Sequence, residues 1–140
     1  MLKVVLDTNV LVSALLNRDG LPAFILALAR RRIIRLCLTV EIFEEYEAVL
    51  NRKKFRHIRN DGLSVLSSLS KEALRVESNT RLNLIANDPA DNKFIECAVD
   101  AGADFLITGN NKHFPFRSYR KLQIVTPKEF IENALKLIML

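Results

Sequence analysis

Apolar positions along this 140-residue chain alternate between short unbroken runs and stripes at helical spacing. The first run, Leu2 to Leu6 (LKVVL), is aliphatic at all but Lys3 and shows no polar alternation, the pattern of a central strand covered on both faces. Ile33 to Leu38 (IIRLCL), Asp104 to Thr108 (DFLIT) and Leu122 to Thr126 (LQIVT) repeat it, and Leu74 to Val76 reads as a shorter strand. Between the runs, Val10, Leu11, Ala14 and Leu15 predict a helix that ends in the turn Asn17 to Gly20. Pro22 opens a second helix, Ala23 to Arg32. Thr39 is a good N-cap for a long helix from Val40 to about Arg52, with Ile42, Phe43, Tyr46, Val49 and Leu50 as its apolar stripe. Helical spacing returns over Leu63 to Leu74, over Pro89 to about Ala101 with Gly102 as its closing glycine, and from Pro127 onward through Phe130, Ile131, Ala134, Leu135 and Ile138. Strands alternating with helices predict a three-layer α/β/α sandwich around a central, mainly parallel sheet with right-handed crossovers. No repeat, low-complexity stretch or linker divides the sequence, so one domain over residues 1–140 is expected.

Composition narrows the classes. Half the chain is apolar (49%), enough for a substantial core, and 26% charge is ordinary for a soluble protein. A formal net charge of +5 is compatible with a polyanionic partner without demanding one. Cys37 and Cys97 stand in apolar surroundings with no CxxC and no histidine at ligand spacing, as buried free thiols of a reduced compartment would. No signal-peptide pattern opens the sequence, and FIENALKLIML is too short and too interrupted to span a bilayer, which points to the cytoplasm and away from a membrane.

Polar chemistry gathers at element ends. Asp7 stands at the C-terminal end of the first strand, the rim where open α/β sheets bind ligands; with Thr8 and Asn9 it could hold a divalent cation or simply cap the next helix. Gly109, Asn110 and Asn111 follow another strand at the same rim. On the long helix, Glu45 and Glu47 each lie about 40° outside one edge of the apolar stripe, while Glu41 and Glu44 point further into solvent. Helical geometry alone does not choose between Glu45 and Glu47. Asp88 as N-cap and Asp91 as N3 of the helix opened by Pro89 are explained by capping, yet that cap opens beside Asp7. Three acids meeting without matching cations raise one another's pKa or require a metal, and hard oxygen donors suit Mg²⁺ or Mn²⁺ rather than zinc. Arg52 to Arg59 (RKKFRHIR) is the densest cationic stretch, fit for phosphate contacts with one aromatic platform or for a solvated connection between helices. Arg30 to Arg32 suits a helix C-terminus as well as a nucleic-acid patch, and His57 has no partner at metal spacing.

Taken in order, four stretches resemble the PIN-domain ribonucleases, in particular the branch of toxins from toxin-antitoxin pairs (VapC-like). LDTNVLVSALL (Leu6 to Leu16) resembles the first motif and places the first metal-binding aspartate on Asp7. TVEIFEEYEAVL (Thr39 to Leu50) resembles the second and selects Glu45 over Glu47. DPADNKFIECAVDAGADFLITGN (Asp88 to Asn110) resembles the third, with Asp91 as ligand and Asp88 as companion. TGNNKHF (Thr108 to Phe114) resembles the fourth, where Asn110 replaces a frequent aspartate and His113 stands where some relatives carry another acid. Asn110 can offer an oxygen but no charge.

The resemblance implies a Mg²⁺- or Mn²⁺-dependent endoribonuclease, acting on RNA, forming homodimers and often blocked by an antitoxin. Its metal ligands would be Asp7, Glu45 and Asp91. Asn110 joins them as a catalytic group, Asp88, Thr8, Asn9 and Thr108 shape the rim, and Arg52, Lys53, Lys54, Arg56, Lys112 and His113 would meet RNA. A PIN-like domain that binds RNA or a protein partner without cutting is the rival. A haloacid-dehalogenase-type phosphatase is disfavoured because its second aspartate is here Asn9, and a receiver domain because the acidic pair near its first strand is missing.

Overall fold

A computed structural model of the chain describes residues 1–79 and 89–138. The aliphatic runs form β1 (Leu2–Leu6), β2 (Ile34–Leu38), β3 (Leu74–Arg75), β4 (Phe105–Ile107) and β6 (Leu122–Val125), with a short β5 (Ser118–Tyr119) before the last. They share one sheet in the order β3-β2-β1-β4-β6-β5. All neighbours run parallel except β5 and β6. The helices are α1 (Thr8–Leu16), α2 (Leu21–Arg30), α3 (Val40–Leu50), α4 (Arg59–Glu72), α5 (Asn92–Ala101) and α6 (Pro127–Ile138). Helix α5 packs on β1, β2 and β4, whereas α2 and α4 pack on β2, α6 packs on β4 and β6, and α2 touches α1, α4 and α6. Right-handed crossovers with the reversal between β1 and β4 put α5 on the face opposite α2, α4 and α6, so the expected sandwich is the observed one.

The core follows from the runs. Val4, Val5, Leu6, Leu106 and Ile107 are buried at the sheet centre, beneath Phe94 and Ile95 of α5 and Leu11, Ile25 and Phe130 of the other layer. Phe105 and Phe130 meet edge to face with centroids 5.3 Å apart, an arrangement that favours aromatic pairs. Both cysteines are buried free thiols, Cys37 pushed up to about 11 and Cys97 to about 12 chiefly by burial, so neither is reactive.

Several boundaries differ from expectation. Helix α4 starts at Arg59, four residues before Leu63; its first turn is polar, so apolar spacing does not reveal it, and Gly62 lets it close on its neighbours. A Cβ at Gly62 would stand 3.1 Å from Leu50 and 3.2 Å from Leu15, so glycine fits there through its lack of bulk. The basic stretch is thereby shortened and carries a 3₁₀ turn at Lys53–Phe55. Helix α2 stops at Arg30. Arg32 takes a left-handed conformation (φ +62°) and its guanidinium lies 2.8 Å from Glu72, so that run closes a helix and binds an acid of this chain. Pro89–Asp91 forms a separate 3₁₀ turn, which makes Asp91 the N-cap of α5 rather than its third residue. Asp88 and the untyped segment Arg81 to Ala86 lie outside the described residues. The hairpin of β5 on β6 was invisible to an apolar pattern, since Ser118 and Tyr119 are two residues at a polar edge. Among the described residues no single helix is long and apolar enough to cross a membrane; α1 and α2 pass together by composition but are bent 101° apart.

Candidate active site

In the strand order, chain progression reverses between β1 and β4, and the C-terminal ends of these two strands frame the crevice where doubly wound sheets bind ligands. Asp7 and Thr108 are the first residues beyond them. The Asp7 N–H donates to Ile107 O (2.9 Å) and the Thr108 N–H to Val125 O (2.9 Å), so pairing continues to the rim. Asp7 occupies the N-cap position of α1, yet its side chain makes no capping hydrogen bond. Instead the Thr108 hydroxyl donates to Asp7 Oδ2 at 2.8 Å across the switch point. That hydroxyl also accepts from the Asn110 N–H (3.2 Å), and Asn9 Oδ1 accepts from the Gly109 N–H (3.3 Å). Capping alone thus accounts for neither Asp7 nor Asn9; both reach across to the end of β4.

Helix α3 delivers the second acid. Thr39 caps it by accepting from the Ile42 N–H (3.1 Å), as the sequence predicts. One turn on, the fully buried Tyr46 donates its hydroxyl to Leu6 O, which fastens α3 to the last residue of β1. Glu45, the residue before it, is thereby held at the rim. Its Oε2 accepts from the Thr8 hydroxyl, and its Oε1 lies 2.6 Å from Lys93 Nζ. In this register Glu45 is joined to α1 through Thr8 and to α5 through Lys93.

The electrostatics follow from burial. Asp7 is 8% exposed, and desolvation pushes its carboxyl above the ordinary 3.8, with the Glu45 charge adding to the rise. The Thr108 hydrogen bond and the amides of Thr8 and Asn9 pull it back in part. A carboxylate kept from water beside a second one is poised for a cation.

Helix α5 ends near Lys3, whose Nζ bonds Ala101 O, at the opposite edge of the sheet, so its first turn opens at the rim of Asp7. Asp91, half-buried, is its N-cap and makes no side-chain capping bond. Asp91 thus stands at the opening of α5 on that side of the sheet, and Asp7 and Glu45 are in electrostatic reach of each other. Among the described residues no three His, Cys, Asp or Glu side chains form a ready-made metal cage. Asn110 is exposed at the rim with its amide nitrogen 2.9 Å from His113 Nε2, and Lys112 and His113 lie on the exposed 3₁₀ turn Asn111–His113. Arg52, Lys53, Lys54, Arg56 and His57 are exposed beyond the end of α3. Phe55, the aromatic of that stretch, is half-buried with Lys54 Nζ 5.0 Å from its ring centroid.

Two features were missed from sequence. Glu129 and Thr126 form a capping box on α6, Thr126 N–H to Glu129 Oε1 at 2.9 Å and Glu129 N–H to Thr126 Oγ1 at 3.2 Å. The Asn111 amide donates to the same Glu129 oxygen at 3.1 Å, which anchors the turn bearing Asn110. Lys93 is the other. A cation in the first turn of a helix opposes the helix dipole, and that misfit was the available signal of an acid waiting elsewhere in the fold.

A family model for the PIN domain matches residues 3–112. The chain belongs to the PIN-domain family. The match runs from β1 to the turn after β4 and takes in Asp7, Glu45, Asp91 and Asn110. The chain is 34% identical to the uncharacterized protein MJ1680 of Methanocaldococcus jannaschii, over 98% of this chain and 94% of that one. It also superposes on a chain of the crystal structure of VapBC2 from Rickettsia felis bound to a DNA fragment from their promoter, with a TM-score of 0.56 and 15% identity over 89% of this chain and 98% of that chain. At that identity the likeness is one of fold. PIN domains are generally nucleases that use divalent metal ions. The rim of this member fits such an ion in donor chemistry: oxygen donors from Asp7, Glu45, Thr8 and Thr108, with the carboxylates outnumbering the Lys93 ammonium among the described residues.

Proposed function

We propose that this chain is a Mg²⁺- or Mn²⁺-dependent endoribonuclease, the toxin of a toxin-antitoxin pair, with residues 1–140 as one nuclease domain. The observation that supports it most is Asp7, a desolvated carboxylate at the switch point that is held from the neighbouring strand by the Thr108 hydroxyl. Asp7, Glu45 and Asp91 would hold the ion, which supplies an activated water and neutralises charge developing on the phosphate. Thr108 orients Asp7, and Thr8 orients Glu45. Asn110 faces the entering strand with His113 as its partner, and Asp88 assists from the segment before α5. The exposed cations Arg52, Lys53, Lys54, Arg56 and Lys112 give the RNA backbone its electrostatic attraction. An antitoxin partner and a homodimer in the cytoplasm belong to this reading, the first by likeness of fold to the R. felis complex.

Purified protein incubated with a pool of RNAs in EDTA, Mg²⁺ or Mn²⁺ tests it. Cleavage is expected with either ion and not with EDTA, and Asp7→Asn is expected to lose on the order of a hundredfold or more while keeping the circular dichroism of the parent. Equal cleavage by the two proteins overturns the assignment. A binding module that no longer cuts draws support from Asn110, which brings no charge and is occupied by His113. Calorimetry separates the two, because persistent failure of both ions to bind, with RNA present, favours the binding module.

A further inference from the structure

Lys93 lies inside the third of the four motif stretches but has no role assigned to it there, and it is a largely buried cation at the rim. Its side chain is 14% exposed and its Nζ lies 2.6 Å from Glu45 Oε1, while the Thr8 hydroxyl takes the other oxygen of the same carboxylate. Both oxygens of Glu45 are engaged before any ion arrives. A divalent cation approaching Glu45 and Asp7 meets an ammonium in the same few ångströms, and like charges that close repel strongly where water is scarce.

We propose that Lys93 is the resident counter-charge of this site: it balances Glu45 while no divalent ion is bound, yields Glu45 to the ion, and then offers its ammonium to a phosphate of the incoming nucleic acid. The inference rests on the nuclease reading above and adds a coupling to it. With the ammonium on Glu45, the pair is balanced. With the ion on Glu45 and the ammonium on a phosphate, the charges are balanced again. Ion alone leaves Lys93 displaced with no new partner, and phosphate alone must draw Lys93 away from Glu45. Each ligand therefore favours the other, and by linkage the factor is the same in both directions. Lys93 acts here as a positioning residue with a predicted phosphate contact, and its place at the start of α5, two residues after Asp91, lets one helix turn carry both roles.

Calorimetric titration of the full-length chain with Mn²⁺, alone and with a nuclease-resistant phosphorothioate oligoribonucleotide, tests the coupling on the parent, Lys93→Met and Lys93→Arg. Lys93→Met is expected to bind Mn²⁺ alone about tenfold more tightly than the parent, and Lys93→Arg to resemble the parent. The oligoribonucleotide is expected to tighten Mn²⁺ binding about tenfold in the parent and in Lys93→Arg, and little in Lys93→Met. Melting curves supply the structural control: Lys93→Met should melt below the parent without ion and regain the difference with Mn²⁺. A loss that Mn²⁺ does not restore, or Mn²⁺ affinity in Lys93→Met equal to or weaker than in the parent, overturns the role of Lys93 and leaves the nuclease reading standing. No Mn²⁺ binding by any of the three, with or without the oligoribonucleotide, overturns both.

Discussion

The two ends of β1 carry charge in opposite ways. At its N-terminal end, the Lys3 N–H donates to Asp104 Oδ2 (2.9 Å), Lys3 Nζ donates to Ala101 O (3.2 Å), and Lys121 Nζ lies 3.7 Å from Asp104 Oδ1. There Asp104 takes one ammonium and one backbone N–H, and the Lys3 ammonium takes a closing carbonyl of α5, so each of these charges has a structural partner. At the C-terminal end, four residues on from Lys3, Asp7 and Glu45 share the rim with the Lys93 ammonium among the described residues, and Asp91 opens α5. The first arrangement lowers the free energy of the fold. The second raises it, because burial works against the charged form of Asp7, and such a cost is retained where an external ligand repays it.

The sharpest way to break this contrast is to remove the acid that the fold resists. Burial lifts Asp7 above 3.8, so the folded chain holds that proton more tightly than the unfolded one. Stability then falls as pH rises from 3.8 to the folded value, and the full cost is present at neutral pH. Asp7→Asn is therefore expected to abolish cleavage and yet melt above the ion-free parent at pH 7, with the advantage fading as the pH is lowered toward 3.8. A lower melting temperature at pH 7 would mean that Asp7 is a structural acid. Thr108→Val keeps the volume at a fully buried position but leaves Asp7 without its donor; about 10–100-fold weaker Mn²⁺ binding is expected by calorimetry. Asp104→Asn, at the other end, is expected to cost about 1 kcal/mol in urea unfolding, since its partners are partly solvated, and to leave RNA cleavage unchanged. The smallest change is Glu129→Ala, which opens the capping box of α6 for about 1 kcal/mol and frees the Asn111 turn, with a few-fold loss of cleavage expected in single-turnover assays.

Much of this arrangement was legible along the chain. Unbroken aliphatic runs need burial on both faces, which is why β1, β2, β4 and β6 and the three-layer class could be read directly, and why Thr39 could be read as a cap. Short elements carried no such signal. The two residues of β5 and the polar opening of α4 depend on neighbours that periodicity does not see. The motif resemblance located Asp7, Glu45 and Asp91, but helical spacing alone left Glu45 and Glu47 equivalent.

Sequence by itself determined the fold class and the family, because those depend on local apolar periodicity and on motifs read in order. Only tertiary structure decided that Asp7 bonds Thr108 across the sheet, that Tyr46 sets the register of Glu45, and that Lys93 fills the space between α3 and α5. These contacts join residues 40 to 101 positions apart, where the geometry is set by how whole layers pack and not by any preference of the residues themselves.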